Sequence, residues 1–242
     1  SCLKELEELE LRDNSQLNGL PPQIGDLVSL KRLGESSFLP PPNNCTLITN
    51  KLDLYGNSFK TLPTELGKLR NLQVLDLRNN NLSLSTIPSE IGQLVSLRKL
   101  LLANNKLLSL PPEIKTMKDL IELDVSNNAL TALPEEIGDL VTLRGTIQPN
   151  AVNQGDADIF IFIRLSFGGN QLIKLPKTIG NLQALEFVDM KSNQINFLPP
   201  EIGRLKNCVK MDVSHNMLSE LPWEMGELTN LNMLNVDHNP LL

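Results

Sequence analysis

The chain has 242 residues, of which 40% are apolar, 21% charged and only 4% aromatic, and its formal net charge is −6. That length allows one large domain or two small ones. The negative charge argues against a nucleic-acid backbone as the main partner, because proteins that bind one present a basic surface.

Few aromatics mean that something else fills the interior. Three cysteines, Cys2, Cys45 and Cys208, are too few and too odd in number for a disulfide framework. A reducing compartment is the simpler reading, with one bridge and one free thiol as the alternative. A membrane-spanning helix needs about 18 consecutive apolar residues. The longest apolar run, Ile159 to Ile163, is far shorter.

A repeat dominates the chain. Its unit reads L-x-x-L-x-L-x-x-N-x-L-x-x-L-P-x-x-I-G-x-L-x-x, and it opens at Leu6, Thr49, Leu72, Leu97, Leu120, Phe162, Leu185, Cys208 and Leu231. Thr49 to Leu72 is 23 residues, as are the steps from 97 to 120, 162 to 185, 185 to 208 and 208 to 231. The Leu72 unit is two residues longer, within Ser83-Leu84-Ser85-Thr86.

The spacing predicts what each unit does. Segments such as Leu120 to Val125 alternate apolar and polar with period two, so they read as short strands whose Leu123 and Val125 point inward. Strands repeated on successive coils stack about 4.8 Å apart into one parallel sheet. The ninth position holds Asn14, Asn57, Asn80, Asn105, Asn128, Asn170, Asn193, Asn216 and Asn239. A turn leaves backbone groups unpaired, and a buried amide donates and accepts to satisfy them, so these residues read as a structural ladder. After the Leu-Pro step, Ile/Met-Gly-x-Leu predicts a short helical or 3₁₀ turn on the convex side. The product is one domain over 1–242: an α/β solenoid, shaped as a horseshoe, with a concave parallel sheet. A solenoid needs polar caps. The last residues, Asn239-Pro240-Leu241-Leu242, stop inside a repeat, so a capping segment is expected to follow.

Two stretches break the pattern, at 34–48 and 144–161. Leu30 to Leu72 and Leu143 to Leu185 each span 42 residues, which is 19 more than one unit. Three readings stay open: a degenerate turn that still completes a coil, a loop extruded from one face, or translated sequence that is not native.

The repeat resembles the leucine-rich-repeat family. Its Leu-Pro-x-x-Ile-Gly-x-Leu half is similar to the intracellular Ras-group branch, and the longer unit with Asn80-Asn81-Leu82-Ser83 to Ras-suppressor-type proteins. The resemblance covers roughly nine-tenths of the chain by repeat count. It implies a non-catalytic protein-binding scaffold in intracellular signalling, with a small GTPase or a phosphatase as partner. No Cys-rich cap of the extracellular kind is present, which favours a cytoplasmic location. An innate-immune or pattern-recognition receptor domain binding a microbial ligand is the alternative. The sequons Asn44-Cys-Thr and Asn81-Leu-Ser matter only in that case.

On the predicted concave face the partner-binding candidates are Lys51, Asp53, Tyr55, Asp76, Arg78, Lys99, Leu101, Glu122, Asp124, Arg164, Phe187, Asp189, Lys191, Lys210 and Asp212. Val74 and Met233 join them as apolar anchors. The fifth strand position is acidic in six of nine units. This reads as an acidic stripe suited to a basic partner, or as a consensus acid neutralised by Lys51, Lys99, Lys191 and Lys210. Trp223 follows Leu221-Pro222 and is expected to pack near the last turns. No catalytic constellation, cofactor site or metal site is expected. His215 and His238 hold the same position in adjacent units and should stack. Cys208, where Leu is usual, reads as a small buried hydrophobe.

Overall fold

A computed structural model describes residues 11–27, 51–83, 87–140 and 163–241. The irregular stretches 34–48 and 144–161, together with Cys2, Cys45 and the Asn44 sequon, lie outside the described residues.

Among the described residues, eight three-residue strands form one open parallel sheet in chain order: β1 (Lys51–Asp53), β2 (Val74–Asp76), β3 (Lys99–Leu101), β4 (Glu122–Asp124), β5 (Arg164–Ser166), β6 (Phe187–Asp189), β7 (Lys210–Asp212) and β8 (Met233–Asn235). Like pairs with like: Leu52 sits beside Leu75, Leu75 beside Leu100, and Val188 beside Met211. These fourth-position side chains turn inward and are buried as far as β7. The sixth-position side chains Leu54, Leu77, Leu102, Val125, Phe167, Met190 and Val213 are buried with them. Leucine replaces aromatics because each rung offers a thin, repeated slot rather than one wide core. Phe59 and Phe167 are the largest fully buried side chains among the described residues.

Parallel strands need a crossover, and the rest of each rung supplies it. Each described 3₁₀ turn, for example Thr64–Lys68 or Ser89–Gln93, is preceded by a proline with φ near −70°. The proline ring fixes that φ and removes a donor at the point where the chain bends inward. Its carbonyl accepts the first bond of the turn, as from Leu66 N–H to Pro63 at 3.1 Å. The glycine of the turn has a packing reason. A Cβ on Gly67 would be driven into the carbonyl oxygen and side chain of Glu90 on the next rung, and Gly180 meets Glu201 in the same way. Tight turns on the convex side and strands on the concave side therefore stack at a common spacing.

The asparagine ladder runs through the described rungs. Asn105 Nδ2 donates to the carbonyls of Leu77 and Leu102, both at 2.9 Å, and its Oδ1 accepts from Leu82 N–H at 3.0 Å. Asn80, Asn170, Asn193 and Asn216 repeat this set while buried. Asn57, Asn128 and Asn239 bond likewise, and Asn14, in the first described rung, is exposed. The residue before the ladder asparagine adopts positive φ in every described rung, as at Asn79 (55°), His215 (53°) and Gly169 (66°). Gly, Asn and Asp tolerate that conformation best.

A candidate binding face on the concave sheet

The third, fifth and seventh strand positions line the concave side, but not equally. At position five the carboxylate folds back onto its own strand. Asp53 Oδ1 accepts the Tyr55 N–H, Asp76 the Arg78 N–H, Asp124 the Ser126 N–H and Asp189 the Lys191 N–H, each at 3.1 Å. Asp212 does the same for Ser214 at 3.0 Å. This local turn satisfies an N–H at the strand end, so the recurrent acid has a structural task. Asp53 and Asp76 are only 1% exposed. Of the two readings, the consensus acid neutralised by neighbouring cations holds at these two rungs, where the carboxylates lie beneath cations. Asp124, Asp189 and Asp212 are half-buried.

The cations cover them. Lys51 Nζ lies 2.9 Å from Asp53, and Arg12 Nε lies 3.4 Å from it. Arg78 grips Asp76 with both Nε (2.9 Å) and Nη2 (2.6 Å), a bidentate geometry that holds the planar guanidinium firmly. That bond, ahead of the opposing effect of burial, pushes the Arg78 guanidinium above its usual range. Tyr55 lies between the two arginines, with Arg12 5.0 Å and Arg78 5.6 Å from its ring centre. Further along, Lys99 pairs with Glu122 at 2.7 Å, Arg164 stacks on Phe187 at 5.0 Å, and Lys191 is 3.5 Å from Asp189. Lys210 is exposed. The predicted residues thus share one face, except that the apolar anchors differ. Val74 and Leu101 are buried, Tyr55 and Phe187 are half-buried, and Met233 is exposed.

Chemistry for catalysis is thin on this face. His215 and His238 stack with ring centres 4.1 Å apart. No group of three metal-ligating side chains occurs among the described residues. Cys208 is fully buried, and burial pushes its thiol up to about 11, far from the thiolate that a nucleophile needs. A cavity between β4 and β5, lined by Glu122, Arg164 and neighbouring leucines, measures about 10 Å³, room for about one water. No helix among the described residues is long and apolar enough to cross a membrane.

Other exposed apolar side chains escaped the sequence reading. Trp223 does not pack near the last turns as expected: it opens its 3₁₀ turn and is 77% exposed. Val95, Ile173, Phe197 and Met217 are also exposed. Val95 carried little signal, since the equivalent positions hold Arg70, Lys118 and Lys206 but also Val28 and Val141.

With this geometry in view, the likeness to known proteins is specific. Residues 50–146 match the family described as leucine-rich repeat region. A comparison with curated proteins gives no match. Among solved structures, a leucine-rich-repeat protein of Leptospira interrogans is 33% identical, with a TM-score of 0.77 over 98% of this chain and 50% of its own. A plant peptide hormone receptor, solved in complex with RGF2, is 27% identical, with a TM-score of 0.70 over 98% of this chain and 35% of its own. A plant ice-binding protein is 26% identical, with a TM-score of 0.62 over 96% of this chain and 64% of its own. The chain thus spans half or less of the first two. The 23-residue period, the open parallel sheet and these likenesses agree, and the chain has the fold of a leucine-rich-repeat solenoid.

Proposed function

We propose that this chain is a non-catalytic protein-binding module that holds its partner against the concave sheet. The observation that carries the reading is the continuous face from Arg12 to Met233, on which Tyr55 and Phe187 sit among arginines and lysines. Interface hot spots favour aromatic and arginine side chains that are already held in place. Resemblance to Ras-group repeats supports a scaffold in cytoplasmic signalling, with a small GTPase or a phosphatase as partner.

The test is affinity capture from lysate with three baits. One is the native chain, one carries Tyr55→Ala, Phe187→Ala and Lys191→Ala, and one carries Val95→Ala and Lys118→Ala. A protein lost by the concave variant and kept by the other supports the reading. Equal recovery by all three contradicts it.

A second reading rests on the likeness to the plant peptide hormone receptor solved with RGF2. It makes the chain the recognition part of a receptor. Secretion of the expressed chain with glycan on Asn81 would favour it.

A further inference from the structure

We propose that Asn18–Gly19 is a site of spontaneous covalent modification, at which the asparagine closes to a succinimide and opens to isoaspartate, and that the product loosens the first described rung from β1.

Sequence and spacing single out this pair. It is the one Asn-Gly step in the chain. In most rungs the proline of the Leu-Pro step lies six residues after the ladder asparagine, as from Asn57 to Pro63 or from Asn105 to Pro111, but Pro21 lies seven after Asn14. The extra residue falls in the segment that holds Asn18 and Gly19, so the main chain there has slack.

The surroundings leave room for the chemistry. Asn18 is exposed, and neither residue belongs to a helix or a strand. Among the described residues, no hydrogen bond engages the Asn18 side chain or the Gly19 N–H. A Cβ placed on Gly19 would meet nothing within 4 Å, so no neighbour crowds an imide ring. Glycine also lets the main chain rotate until its nitrogen reaches Asn18 Cγ. The ladder asparagines are held the opposite way. Asn105 is buried with both Nδ2 and Oδ1 bonded, and Lys106 with its Cβ follows it.

The Gly19 nitrogen bonds to Asn18 Cγ and gives up its proton, and Nδ2 leaves as ammonia. Water then opens the imide. Attack at Cγ breaks the new C–N bond and leaves aspartate. Attack at the main-chain carbonyl breaks the old peptide bond instead and leaves isoaspartate, whose main chain runs through Cβ and Cγ and is one atom longer. The Asn18 carbonyl, which accepts the Lys60 N–H at 3.4 Å, becomes a free carboxylate. The added atom lies between the Leu17 carbonyl, which accepts the Ser58 N–H at 3.0 Å, and the turn in which Gly25 lies against Glu65. Both attachments of this rung to the next cannot keep their register.

The experiment ages the native chain and Gly19→Ala in mildly alkaline buffer. Peptide mapping by mass spectrometry, with fragmentation that separates isoaspartate from aspartate, follows each asparagine. Asn18 is expected to react faster than Asn81 or Asn105 by about tenfold or more, giving isoaspartate as the larger product, and Gly19→Ala is expected to slow it by a similar factor because a Cβ hinders the approach. Gly19→Ala should fold as the parent does, since its methyl group points into open space. In the aged native chain the Ser58 and Lys60 amides should exchange hydrogen several-fold faster than in the fresh chain, with the β6 amides unchanged. An intact Asn18 where other asparagines have reacted, aspartate without isoaspartate, an equal rate in Gly19→Ala, or unchanged exchange at Ser58 and Lys60 would overturn the inference.

Discussion

Leu123 and Leu165 lie side by side in the sheet although 42 residues separate them in the chain. Between Leu100 and Leu123, 23 residues suffice. The ladder crosses the same step, with Leu130 N–H donating to Asn170 Oδ1 at 2.9 Å. The two rungs are therefore already neighbours. Deleting residues 144–162 joins Leu143 to Ile163 and restores the 23-residue period, so the shortened chain is expected to fold. Its thermal midpoint should stay within about 5 °C of the parent or exceed it, because loop length adds little to stability. Loss of the cooperative transition would show that the interval is needed.

The ladder should be costly to break in its middle and cheap at its exposed start. Asn105→Ala leaves the buried Leu82 N–H without its partner and removes one of two donors from each of the Leu77 and Leu102 carbonyls, which keep Asn80 and Asn128. The expected loss is about 1–3 kcal/mol, the cost of one orphaned buried group. Asn14→Ala, in an exposed rung, should cost under about 1 kcal/mol. Urea unfolding of both variants gives the comparison, and similar losses would mean that the ladder bonds are not what holds the coils together.

The convex glycines make a paired prediction. Gly67→Ala puts a methyl group into the Glu90 backbone, whereas Gly226 has open space around it. The first should lose about 1–3 kcal/mol through overpacking, and the second should be close to neutral. Calorimetric midpoints in the opposite order would refute the packing account.

Much of this architecture was legible from spacing alone. The strands, the Asn ladder and the inward Leu column follow from a period of two nested in a period of 23, and both periods survive in the letters. The fate of Asp53 and Asp76 was not legible. Alternation marks position five as outward, and only coordinates show the carboxylate folding onto its own strand N–H beneath Arg78 and Lys51. Direct pairing of β4 with β5 was hidden for another reason: residue counting cannot separate a degenerate coil from an insertion. Trp223 was misjudged because the burial of a turn residue depends on the rung beside it, which the repeat letters do not report.

Cys208 should behave as a buried thiol. Burial raises its pKa to about 11, against an ordinary 9.0. The folded chain therefore holds the proton more tightly than the unfolded one. Stability from this group is complete below pH 9, falls as pH rises between those two values, and totals at most about 3 kcal/mol. The slope of stability against pH in that window should flatten in Cys208→Ala. At pH 8 a thiol reagent should label Cys208 only under unfolding conditions; fast labelling of the native chain would contradict the burial.

Two of the ion pairs over position five should differ in worth. Arg78→Ala leaves Asp76 buried without its bidentate partner, at a cost of about 1–3 kcal/mol. Lys191→Ala faces an Asp189 that is 33% exposed and 3.5 Å away, and should cost under about 0.5 kcal/mol. Equal effects in denaturant titrations would show that burial does not govern these pairs.

Hydroxyl-radical footprinting, with the captured partner bound and absent, tests the concave-face claim most directly. It reads the side chains that distinguish the two sides of the coil. The account predicts that oxidation of Tyr55, Phe187 and Met233 falls several-fold on binding, while Trp223, Phe197 and Met217 stay as reactive as in the free chain. Protection of Trp223, Phe197 and Met217, with Tyr55 and Phe187 unchanged, would place the binding surface elsewhere and contradict it.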